Sequence, residues 1–190
     1  MRESELVKAT LTETIELHER VKQGDLGAVT EAAAMIIESL RQDGRVLAFG
    51  NGGSAADAQH VAAEFVGRFL RERRALAAMA LTTDTSVLTA LGNDYSFDRV
   101  FARQIEALGR SGDVALGIST SGQSANVMAG LEAARGQGLR TIAVTGGDGG
   151  PIGRLVDVHI NVPSTSTPRV QEVHRTLLHV VCDLVERAFV

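Results

Sequence analysis

The chain has a single cysteine, Cys182, so no intramolecular disulfide framework is possible. No apolar run approaches the ~20 residues that a membrane-spanning helix needs. There is no excess of positive charge. Nineteen lysines and arginines against 23 aspartates and glutamates leave a net charge of −4, which argues against a general nucleic-acid binder. The opening residues Met1-Arg2-Glu3-Ser4-Glu5 are not followed by an apolar signal segment. Linkers, low-complexity segments and internal repeats are also missing. The expectation is a cytoplasmic protein with neither a membrane nor a nucleic-acid partner.

What is present fits one domain spanning residues 1–190. The 190 residues are 44% hydrophobic and 22% charged, enough for a full core and ordinary for a globular chain. Two amphipathic stretches lead, residues 3–22 and 25–42, followed by Gly44. Apolar runs then alternate with helical patterns. Strands are expected at Arg45–Phe49, Leu76–Leu81, Val114–Ile118, Leu139–Thr145 and Val156–Val162. Helices are expected at about Ser54–Phe69, Thr85–Leu91, Phe97–Leu108 and Ser124–Arg135, and from Pro168 to Phe189. Such alternation predicts a five-stranded parallel sheet with helices on both faces, a three-layer αβα sandwich. The two leading helices (residues 1–44) have no strand of their own, so they cover the sheet or pack against another subunit. Ligands belong at the carboxyl ends of the strands.

Two loops fall at that end. Ser119-Thr120-Ser121-Gly122-Gln123-Ser124 joins the third strand to a helix. Unpaired backbone N–H groups at a helix start, with four hydroxyl side chains and no lysine, suit a phosphate monoester on a small molecule. A single hydroxyl there would be an ordinary N-cap. The other loop, Gly50-Asn51-Gly52-Gly53-Ser54-Ala55, fits G-x-G-x-x-A, a weak dinucleotide fingerprint. No acidic residue closes a second strand at the usual distance, and Asn51 and Ser54 are not explained by a tight turn alone. The glycines instead let backbone approach a sugar phosphate.

His60 and Glu64 are four residues apart and share a helix face. Gln171 and His179 are eight apart on the last helix and share a broad face. Each pair alone is more often a surface pair. Together they could offer two imidazoles, a carboxylate and an amide oxygen, a set that suits zinc. Glu64 and His179 could otherwise act as acid/base groups without metal. His18, His159 and His174 read as surface or packing residues, Cys182 as core, and Arg68, Arg71, Arg73 and Arg74 as a solvated helix end.

Three stretches resemble the bacterial phosphoheptose isomerases, which are sugar isomerase (SIS) domain proteins. They are Phe49 to His60, Gly117 to Val127, and Thr167-Pro168-Arg169-Val170-Gln171-Glu172-Val173-His174. The resemblance covers nearly the whole chain. It implies the flavodoxin-like SIS sandwich, a homotetramer with sites near subunit interfaces, and conversion of sedoheptulose 7-phosphate to D-glycero-D-manno-heptose 7-phosphate. It also implies residue roles. Asn51, Gly52, Gly53, Asn93 and Asp94 would contact substrate, together with Glu64 and Gln171, and Ser119, Thr120, Ser121 and Ser124 would hold the phosphate. His60, Glu64, Gln171 and His179 would bind one zinc ion per subunit, with Glu64 and His179 as the acid/base pair. Pro168 stands where some relatives place an aspartate, and it is assigned no role. Two alternatives stay open. One is a non-enzymatic SIS protein that associates with a replication initiator, a subfamily lacking the equivalents of Glu64 and His179. The other is an isomerase of a different sugar phosphate.

Overall fold

A computed structural model describes residues 2–190. Five strands form one all-parallel sheet in the order β2-β1-β3-β4-β5. They are β1 (Val46–Gly50), β2 (Ala78–Ala80), β3 (Val114–Ser119), β4 (Arg140–Gly146) and β5 (Val158–Val162). The three middle strands are buried almost throughout, as expected of a parallel sheet covered on both faces. β2 is an edge strand of three residues, shorter than the apolar run Leu76–Leu81 suggests. Only Val46, Leu47 and Ala48 of β1 pair with it, and the ladder ends where the chain turns away.

The helices are α1 (Glu3–Lys22), α2 (Gly27–Arg41), α3 (Gly53–Val66), α4 (Thr85–Asp94), α5 (Val100–Leu108), α6 (Ala125–Gly136), α7 (Gly150–Leu155) and α8 (Thr167–Arg187). One core lies between the sheet and α2, α3 and α8, and takes in Leu17 from α1. The other lies beneath α5, α6 and α7, where Phe49 stacks on Phe101 at 5.2 Å between ring centroids. Cys182 is buried in the first core.

α1 lies on α8 rather than on the sheet. Thr14 Oγ1 donates to Glu172 at 2.7 Å, Arg169 donates to the Thr10 carbonyl at 2.8 Å, and His18 bridges the Thr14 carbonyl and Thr176 Oγ1. Leu17 is its one buried residue, and Leu6, Val7, Leu11 and Ile15 are exposed.

The expected solvated arginine end is only partly solvated. α3 stops at Val66, and the following loop is held by Glu186 of α8. The Glu186 carboxylate accepts from the backbone N–H groups of Phe69, Leu70 and Arg71, each at 2.8 Å. Arg73 is buried against it, and Arg71 pairs with Asp183 at 2.6 Å. Arg74 lies over the Phe189 ring. Arg68 and Arg74 keep the exposed character expected of all four.

Candidate active site

In a sheet of order 2-1-3-4-5, the chain leaves β1 and β3 in opposite directions, and the crevice between them is the natural ligand site. Both loops singled out in the sequence open there. After β1 the chain turns through Asn51 and Gly52 into α3. Gly52 has φ +55°, a conformation that favours glycine. A Cβ on Gly53 would fall 2.4 Å from Gln171 Nε2, so the glycine lets α8 come close. The two loops are tied by a reciprocal amide pair: Asn51 Nδ2 donates to Asn126 Oδ1 at 2.8 Å, and Asn126 Nδ2 donates back at 2.9 Å. Sequence spacing gave no sign of Asn126.

Ser124 is the N-cap residue of α6, yet its hydroxyl makes no cap bond. It lies 2.9 Å from Ser119 Oγ, and Ser121 Oγ is 3.5 Å from the same atom. The hydroxyls therefore cluster with one another, and the first turn of α6 keeps unpaired N–H groups beside them. That is the donor array an anion needs. A cavity of about 270 Å³ runs between the loops. It is lined by Asn51, Gly52, Gly53, Ser119, Thr120, Ser124 and Gln171, with Ser54, Ile118 and Thr167. A larger one of about 710 Å³ adjoins it through Thr120 and Thr167 and includes Ser121 and Arg20 of α1.

Helices α3 and α8 carry the second constellation. His60 Nε2 lies 2.7 Å from His179 Nε2 and 3.2 Å from Glu64 Oε1. One ligand atom from each of the three side chains lies within 4.8 Å of the others, an arrangement able to hold a metal ion. Two nitrogens on one tetrahedral zinc, each about 2.0–2.1 Å from it, sit roughly 3.3 Å apart. Little movement separates that from the distance observed, so the donors fit such an ion. Burial, then the neighbouring His60, holds the His179 pKa below the ordinary histidine value. The imidazole is thus neutral near pH 7, with a lone pair available for a metal or a proton. Gln171 lies two turns up the same face of α8, against Gly53.

Asn93 and Asp94 are elsewhere. Instead of sitting in a loop between helices, they form the last turn of α4, exposed, with Asn93 Nδ2 donating to Asp94 Oδ1 at 2.8 Å. Neither lines the cavity between the loops. His174, read as a surface or packing residue, is wholly buried, with Nε2 2.9 Å from the Thr145 carbonyl. His159 bonds Thr145 Oγ1 at 2.6 Å.

This sheet, with a hydroxyl loop and a glycine loop facing across its switch point, is an SIS domain, and the sequence matches the SIS domain family over residues 11–146. The chain is 58% identical to the phosphoheptose isomerase of Pelobacter propionicus over 160 residues, 84% of this chain and 85% of that one. A solved phosphoheptose isomerase from Neisseria gonorrhoeae superposes with a TM-score of 0.92 at 48% identity, covering 97% of this chain and 98% of that one. One from Francisella tularensis gives 0.95 at 34% identity, covering 98% and 100%. The chain belongs to the phosphoheptose isomerases.

Proposed function

We propose that the protein isomerises sedoheptulose 7-phosphate to D-glycero-D-manno-heptose 7-phosphate, the first step toward activated heptose for surface glycans. The observation that carries this reading is the convergence of Glu64, His60 and His179 on the two helices whose first turns line the cavity beside the hydroxyl loop. Ser119, Thr120, Ser121 and Ser124 hold the phosphate. That contact is remote from the reacting carbons, and its binding energy serves to fix their geometry. Asn51, Gly52, Gly53 and Gln171 orient the open-chain ketose. One of Glu64 and His179 removes a proton from C1 to give an enediol, and a proton is returned at C2. His60, Glu64, Gln171 and His179 would hold one zinc ion per subunit, which supplies Lewis-acid polarisation of the substrate oxygens when bound. Substrate contact by Asn93 and Asp94 rests on the resemblance alone. Residues 1–190 act as one SIS domain in the cytoplasm, and the exposed apolar residues of α1 support assembly into a homotetramer. The presence of both Glu64 and His179 favours the enzyme over an initiator-associating relative.

Turnover followed by phosphorus NMR tests the assignment. The purified protein is expected to convert sedoheptulose 7-phosphate to the aldose phosphate, and a chelator is expected to suppress the reaction. Glu64→Gln is expected to lose about 10²–10⁴-fold in rate with the fold intact, the usual contribution of a general acid or base. Absence of conversion by the zinc-loaded parent protein overturns the reading, and near-parental turnover by Glu64→Gln removes the residue from the chemistry.

A further inference from the structure

α3 and α8 run side by side in the same direction, and their facing residues meet in rungs. Gly53 meets Gln171 at the first rung, and His60 meets His179 at the last. Between them lies a charged rung. Arg175 Nε and Nη2 both donate to Asp57 Oδ1, at 3.1 and 2.5 Å. Asp57 is 3% exposed, whereas the Arg175 side chain is 46% exposed. Asp57 stands one turn before His60 on α3. Arg175 stands one turn after Gln171 and one turn before His179 on α8. The preceding residue, His174, ties α8 to the end of β4 through the Thr145 carbonyl.

We propose that the Asp57–Arg175 pair is the positioning element of the metal cluster, fixing the register of α3 against α8 so that His60, Glu64 and His179 converge. The proposal rests on reading that cluster as a zinc site. Its physical basis is the cost of a buried carboxylate without a partner. The buried Asp57 carboxylate keeps its hydrogen-bond partner only while α8 presents Arg175 at that height. Sliding or rotating α8 would strain this pair together with the His60–His179 contact, because both are carried by the same two helices. Neither residue makes a hydrogen bond or ion pair to a cluster side chain, so the pair acts through the helices that carry the ligands. Groups that hydrogen-bond directly to metal ligands typically contribute 10–100-fold to metal affinity; an effect of the same order is assigned to this pair because a site must be held within about 0.5 Å to function.

The test is zinc affinity of metal-free protein, measured by competition with a chromophoric chelator. Arg175→Gln is expected to weaken zinc binding 10–100-fold. Its turnover at limiting zinc should fall and recover at saturating zinc, with KM for the sugar phosphate within about twofold of the parent. Asp57→Asn keeps the side-chain shape and gives a second measurement should Arg175→Gln fold poorly. It is expected to weaken zinc binding similarly, and the double variant no further, because the two residues act as one unit. Arg187→Gln removes a pair with Asp183 at the far end of α8 and is expected to leave zinc affinity unchanged. Zinc binding within twofold of the parent in both Asp57→Asn and Arg175→Gln overturns the proposal alone. A parent protein that binds no zinc overturns the metal reading and the proposal together.

Discussion

Ser124 has two possible uses, and its geometry decides between them. A serine at an N-cap position ordinarily accepts a backbone N–H of the first helical turn. Here the hydroxyl turns to Ser119 Oγ instead, leaving the helix start unfilled and the hydroxyls grouped. A phosphate would exchange these contacts for stronger charge-assisted ones. Each hydrogen bond to a charged group is worth about 1.5–3 kcal/mol. Replacing both Ser119 and Ser121 with alanine is therefore expected to raise KM for the sugar phosphate on the order of 100-fold, with kcat less affected. Steady-state kinetics check this, and an unchanged KM would take the loop out of the binding site. The hydroxyl cluster was legible in the sequence because four of its members lie within six residues. Asn126 was not, because its meaning depends on Asn51, 75 residues away.

At the scale of elements, the loop from α3 to β2 is the least legible part of the chain. Four arginines near a helix end suggest solvation and a favourable dipole. What sequence cannot supply is Glu186, more than a hundred residues on, whose carboxylate fills three backbone donors of that loop. Burial pushes its pKa up, but those donors and Arg73 outweigh burial and bring it below the ordinary value. The carboxylate thus stays charged and fixes the loop to α8. Arg73 extends the link, because its Nη2 donates to the Glu64 carbonyl at 2.7 Å. Glu186→Gln keeps the shape but removes the charge, and leaves Arg73 buried beside a neutral amide. Removing one member of a buried pair typically costs about 3–5 kcal/mol, and a loss at the lower end of that range is expected because the amide oxygen can still accept. Thermal or urea unfolding reads this directly. An unchanged midpoint would mean the loop is held by its other contacts. The helix-face pairs His60/Glu64 and Gln171/His179, by contrast, were legible from spacing, since 3.6-residue periodicity places them without tertiary knowledge. Their meeting across two helices was raised by the donor types and implied by the resemblance, and the Asp57–Arg175 rung between them by nothing in the sequence.

For the whole molecule, alternating apolar runs and helical patterns were enough for the parallel sandwich, because a sheet buried on both faces has few other solutions. What alternation leaves open is the outside. α1 uses one stripe, through Leu17, Thr14 and His18, to lie on α8. Val7, Leu11 and Ile15 form a second stripe, adjoining His18, and Leu6 lies off it toward the Leu17 side; all four are between 54% and 63% exposed. Scattered apolar residues on a surface mean little, but three in one stripe of a helix are what an interaction surface would offer. Fully burying each such side chain is worth about 1.5–3 kcal/mol. A second copy meeting this stripe would therefore gain enough to matter against the cost of association. Arg20 on the same helix lines the cavity next to the phosphate loop, so an assembly built on α1 would also fix one wall of the site. Leu11→Asp with Ile15→Asp places two charges on the stripe without touching Leu17 or the α8 contacts. The parent protein is expected to run as a tetramer by light scattering or sedimentation, and the double variant as a smaller species with unchanged helix content. A double variant that stays tetrameric would place the subunit contact elsewhere, and a parent protein that runs as a monomer would remove the assembly from the account of this site.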